Sequence, residues 1–256
     1  VCANVFKGDN PNKEYLFIIH NTHTGSGGLE HMASTVLNVS RWTYEGSAYN
    51  RFLSLVAHEY FHLWLVKRLR PIQLGPFDYD RENYTDLLWV MEGFTSYYDD
   101  LLMRRAGFYS EQEYLSKIQG TMNFVENTHG NTVHPVAHSS FDAWIKLYRP
   151  DENTRNSRIS YYSKGHLVAA TIDAMIMEQY KGKKSMDDFL LMLYNKYYKE
   201  LDRGFSEAEF KEELEKFLKR DLTQFFDDHI YDSKTIDYPK YFKPLGIDLK
   251  KDDLQK

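Results

Sequence analysis

No glycine or proline interrupts the chain from Tyr49 to Leu69. Leu53, Val56, Ala57, Tyr60, Phe61 and Trp64 recur there at the spacing of one helical face, which predicts a helix over about 50–67. His58 and His62 stand four positions apart on that helix, one turn above the other on the same side. Two imidazoles so placed can both reach one Zn²⁺ at about 2.0–2.1 Å. Glu59, next to the first of them in His58-Glu59-Tyr60-Phe61-His62, is then placed to take a proton from water at the ion.

A catalytic zinc takes three protein ligands and leaves a position open. The candidate third ligand is Glu92, in the apolar run Trp89-Val90-Met91-Glu92-Gly93-Phe94. A carboxylate in such a segment needs a partner, and a metal is a strong one. A lysine or arginine partner is the plain alternative. Gly93 would let a second backbone come close. His129, His134 and His138 are rival ligands, although their polar loop suits a surface better.

The remaining chain divides into two regimes. Up to about Trp42 it reads as strand and loop, with strands at Tyr15–His20 and Ser34–Val39 around the breaker cluster Gly25–Gly28. Beyond it the reading is helical. Thr85 caps a helix to about Ala106, Ser110 with Glu113 forms a capping box for one to about Glu126, and a short helix is predicted near Phe141–Leu147. Helices follow from about Tyr162 to Tyr180, from Ser185 to about Glu200, from Ser206 to about Lys219, and a last short one from Asp221. The expected fold class is α+β, mainly α: one domain over 1–256, with a β-containing edge at about 1–45, a helical body at about 46–232 and a tail at 233–256. Aromatic residues at 16% supply a thick core, and a net charge of −5 leaves no basic footprint for nucleic acid. The single Cys2 rules out an intrachain disulfide, and no apolar run has the length of a membrane span.

With these residues in view, the sequence resembles the glycyl aminopeptidase family of PDZ-containing zinc peptidases, gluzincins in which a glutamate is the third zinc ligand. The stretch around Glu92 and the His58–His62 motif carry the resemblance, together with Gly27-Gly28-Leu29-Glu30-His31, similar to the family's exopeptidase motif, and Tyr161-Tyr162-Ser163-Lys164-Gly165. Arg81–Thr85 and Ser140–Trp144 match as well. The resemblance runs from about Gly25 to the C-terminus. It implies a thermolysin-like catalytic domain with one Zn²⁺, held by His58, His62 and Glu92, with Glu59 as general base. It further implies that Glu30, presented by Gly27 and Gly28, binds a substrate's free α-ammonium, and that Tyr162 donates to the oxyanion, with Tyr161 one position away. Substrates would be peptides with a free N-terminus, small first residues such as Gly or Ala being favoured. Members carry an N-terminal β-rich domain and a C-terminal PDZ domain; neither is visible, so the chain is expected to be a catalytic core cut from a longer protein. A zinc endopeptidase and a non-catalytic scaffold of the same fold are the competing readings.

Overall fold

The structure, a computed structural model, describes residues 1–250. Helix α1 (Cys2–Val5) opens the chain and is followed by three strands, β1 (Leu16–Thr22), β2 (Gly28–Glu30) and β3 (Ser34–Ser40). The sheet has the order β1-β3-β2, with β1 parallel and β2 antiparallel to β3. The helical part comprises α2 (Gly46–Phe61), α3 (Leu88–Arg105), α4 (Glu111–Glu126), α5 (Val136–Phe141), α6 (Thr154–Ser157) and α7 (Tyr161–Gln179). It continues with α8 (Met186–Leu193), α9 (Glu207–Leu218), α10 (Thr223–His229) and α11 (Tyr238–Phe242). The fold is thus mainly helical with a small mixed sheet, as the residue pattern predicts.

Three helix starts follow from local chemistry alone. Ser110, Ser185 and Ser206 each accept a backbone N–H from the first turn, and Glu113, Asp188 and Glu209 each accept from the cap residue's own N–H. Other boundaries differ. Residues 143–147, expected within one short helix, form a π-helical turn after α5, and a second one (Tyr194–Glu200) finishes the segment that begins with α8. Helix α1 lies in a stretch read as strand and loop, and α11 lies in the expected tail. Both are anchored by long-range packing: Phe6 stacks on Trp64 with centroids 5.4 Å apart, and Tyr238 and Tyr241 are buried. The last six residues of the expected tail lie outside the described residues.

The most informative difference is at the end of α2. It stops at Phe61, six positions short of the expected Lys67. Leu63, Trp64 and Leu65 are all fully buried. The chain turns here, with the Lys67 N–H on the His62 carbonyl at 3.1 Å and the Leu69 N–H on the Trp64 carbonyl at 2.8 Å. Val66 completes the turn at φ 118°, a left-handed value costly for a β-branched residue.

The main core is built from α3 and α7, with α4, α5 and α8–α11 around them. Gly93 and Gly165 meet where α3 crosses α7. A Cβ at Gly93 would lie 2.4 Å from Gly165 Cα. The sheet packs on α2 through a smaller cluster of Leu37, Val39 and Phe52. Among the described residues, no helix is long and apolar enough to cross a membrane.

Candidate metal centre

Helix α2 carries His58 and Glu59, its C-cap residue is His62, and α3 brings Glu92 across from them. One carboxylate oxygen, Glu92 Oε2, lies 3.2 Å from His58 Nε2 and 3.3 Å from His62 Nε2. His58 is 9% exposed and His62 1%, so this meeting is shielded from water. The far side of each ring is held separately. His58 Nδ1 contacts Asp99 Oδ2 at 3.0 Å, and His62 Nδ1 contacts the Leu65 carbonyl at 2.9 Å. That second contact exists because α2 ends early: the turn brings the Leu65 carbonyl back under the ring.

The donor chemistry fits a cation. Each Nδ1 faces an acceptor and therefore carries a hydrogen, so a neutral imidazole would turn its Nε2 lone pair toward the Glu92 carboxylate. Lone pair facing carboxylate is repulsive unless a proton or a metal ion stands between. Burial by itself would lower His58, yet Asp99 and Glu92 outweigh it and push the imidazole up to about 10. Burial likewise opposes protonation of His62, and Glu92 overcomes it, so that His62 is raised too. Burial would raise Glu92; the two imidazoles hold it far below the ordinary carboxylate range. Of the groups among the described residues that could hold a metal, His58-His62-Glu92 is one and Glu30-Glu59-His62 the other, each with ligand atoms within 4.8 Å of one another.

That second group shows where the remaining predicted residues sit. Glu59 is 4% exposed, and its carboxylate lies within 4.8 Å of ligand atoms of both Glu30 and His62. Burial is the main reason its carboxyl is raised; Glu30 and Glu92 add to the effect and the two imidazoles oppose it. Thr35 Oγ1 lies 3.5 Å from Glu59 Oε2. Gly28 is needed here: a Cβ on it would stand 2.4 Å from Glu59 Cδ. Gly27, at φ 125°, turns the chain into β2, and Glu30 closes that strand opposite Thr35. Lys67 Nζ lies 3.1 Å from Glu30 Oε1. Tyr162 stands beside the centre, its ring centroid 6.3 Å from that of His58. Tyr161 is 2% exposed and stacks on Tyr162. Burial first, and then Glu92, raise the Tyr162 phenol far above its ordinary value, so the hydroxyl stays protonated.

The rival histidines are held elsewhere. His129 bonds the Asn156 carbonyl, His134 accepts from the Ile159 N–H, and His138 is exposed. Sequence reasoning missed Asp99 and Lys67. Asp99 had a usable signal: it follows Glu92 by two helical turns and so shares its face. Lys67 had none, because its role depends on where α2 stops.

Fold and site together describe a helical domain with a small sheet around a two-histidine, one-carboxylate constellation. The family model described as M61 glycyl aminopeptidase matches residues 51–168, a span containing His58, Glu59, His62, Glu92 and Tyr162 but not Glu30. A solved crystal structure, of an aminopeptidase N family protein from Idiomarina loihiensis, is similar with a TM-score of 0.87 and 33% identity over 94% of this chain. The match covers 42% of that protein's chain, so the present chain spans less than half of its length. No curated protein matches. The chain belongs to the M61 glycyl aminopeptidase family.

Proposed function

We propose that the chain is the thermolysin-like catalytic domain of a zinc-dependent aminopeptidase that removes single, small N-terminal residues from peptides. The observation that carries this reading is the convergence of His58 Nε2 and His62 Nε2 on one oxygen of Glu92, with Glu59 and Glu30 in the same cleft. Family membership supports peptide hydrolysis, and the likeness to an aminopeptidase N family protein supports removal of terminal residues.

His58, His62 and Glu92 would hold the zinc, which when bound supplies a Lewis acid for the carbonyl and lowers the pKa of water. Glu59 takes the proton from the attacking water and returns it to the leaving amine. Its raised pKa, caused chiefly by burial, suits a group that must both accept and release that proton. Tyr162 donates its hydroxyl to the carbonyl oxygen as negative charge develops there. Glu30 pairs with the substrate's α-ammonium. A peptide continuing past that point would bring uncharged backbone to Glu30 in place of an ammonium and forgo that ion pair, which disfavours internal cleavage.

Two measurements test this. Metal analysis with E59Q should show full zinc content and loss of turnover; substantial residual turnover removes Glu59 as the base. Free and N-acetylated forms of one peptide should be cleaved very unequally. Equal cleavage would turn the reading into that of an endopeptidase.

A further inference from the structure

The acid assigned to the substrate amine already has a cationic partner. Lys67 Nζ lies 3.1 Å from Glu30 Oε1, with only 17% and 16% of the two side chains exposed. Long side chains on an open surface exchange partners freely and gain little from pairing. This pair is mostly shielded, and the backbones on both sides are fixed. The Lys67 N–H donates to the His62 carbonyl at 3.1 Å, and the strained Val66 precedes it in the turn that ends α2. Arg68 then reaches the Met32 carbonyl and Asn12 Oδ1, each at 2.8 Å, and so ties that turn to the connection after β2. The ion pair therefore joins two segments held together by other bonds, and Lys67 has little freedom to withdraw.

A carboxylate has two oxygens and about four lone-pair sites, so Glu30 can accept from two ammonium groups at once. They would lie a few ångströms apart and repel each other. We propose that Lys67 is a specificity-determining residue of the amine subsite, sharing Glu30 with the incoming α-ammonium and weakening its hold on it. This rests on the assignment of Glu30 to the substrate amine. The functional consequence is a subsite that recognises a free N-terminus without gripping it, which favours release of the liberated amino acid, itself an amine.

The test is calorimetric titration of the zinc-loaded chain with alanine hydroxamate and with propionyl hydroxamate, the same ligand without its amine. The ratio of the two dissociation constants isolates the amine subsite. K67M should raise the preference for the amine-bearing ligand roughly tenfold, the scale of a like-charge interaction in a partly solvated site. K67R should keep the original preference, and E30A should abolish it. A K67M preference that stays the same or falls, with E30A still abolishing it, overturns the role of Lys67 and leaves Glu30 in place. A preference that survives E30A overturns both assignments. K67Q serves as the neutral variant where thermal melting shows K67M to be misfolded.

Discussion

Replacing Gly93 by alanine tests whether the metal centre depends on the crossing of α3 and α7. The new Cβ would stand 2.4 Å from Gly165 Cα and 2.6 Å from Gly165 C, well inside the 3.4 Å where ordinary contact begins. Both obstructing atoms are backbone, so no side-chain rotation relieves the overlap, and the two helices must separate by about 1 Å. Overpacking of a dense core costs about 1–3 kcal/mol, and the upper end applies where backbone meets backbone. For a chain of this size, about 3 kcal/mol lowers the melting temperature by about 6–12 °C. The adjacent Glu92 moves with its helix, so zinc affinity should fall as well, by roughly tenfold or more. Gly120 of α4, where an added Cβ would meet nothing within 4 Å, provides the control. G120A should raise stability by up to about 1 kcal/mol through helix propensity alone. Thermal melting and competitive metal titration read both quantities. G93A with unchanged melting and unchanged zinc affinity would refute the idea that this contact sets the position of Glu92.

Other expectations concern single groups. D99A removes the acceptor at His58 Nδ1 and should weaken zinc binding by about 10–100-fold in titration against a chelator, with the fold intact by circular dichroism. Y162F should lower kcat by about 10²–10³ while changing KM little; an unchanged kcat would assign the oxyanion to other donors. His166 is 4% exposed, and burial lowers it from 6.5 to about 4. Its neutral form is the one compatible with the fold, so its contribution is complete above about pH 6.5 and is lost as pH falls toward 4. In that window stability should fall by up to about 1.4 kcal/mol per pH unit from this residue, and H166Q should flatten the slope of denaturant-derived stability against pH.

Local signals were readable wherever the chemistry is local. Three capping boxes place the starts of α4, α8 and α9, and four-residue spacing puts His58 and His62 on one face. Glu92 was readable because a lone carboxylate in an apolar helix demands a partner. What escaped depends on distant residues. Nothing between Tyr49 and Leu69 announces a stop, and the turn after Phe61 carries Leu63, Trp64 and Leu65 into the core with no glycine or proline to mark it. The Leu65 carbonyl under His62 and the approach of Lys67 to Glu30 both follow from that turn. Helices α1 and α11 are too short for a periodic pattern, and they persist because Phe6, Tyr238 and Tyr241 find places against the body of the fold.

The orientation of the two rings bears on how the ion would arrive. The groups that position the rings for an ion also favour protons on them: Asp99 and Glu92 raise His58, and Glu92 raises His62. Loading a dication there is then a competition, in which Zn²⁺ displaces protons from the ring nitrogens it binds. Acidification works against loading, because a proton on either ring nitrogen must leave before the ion can bind there.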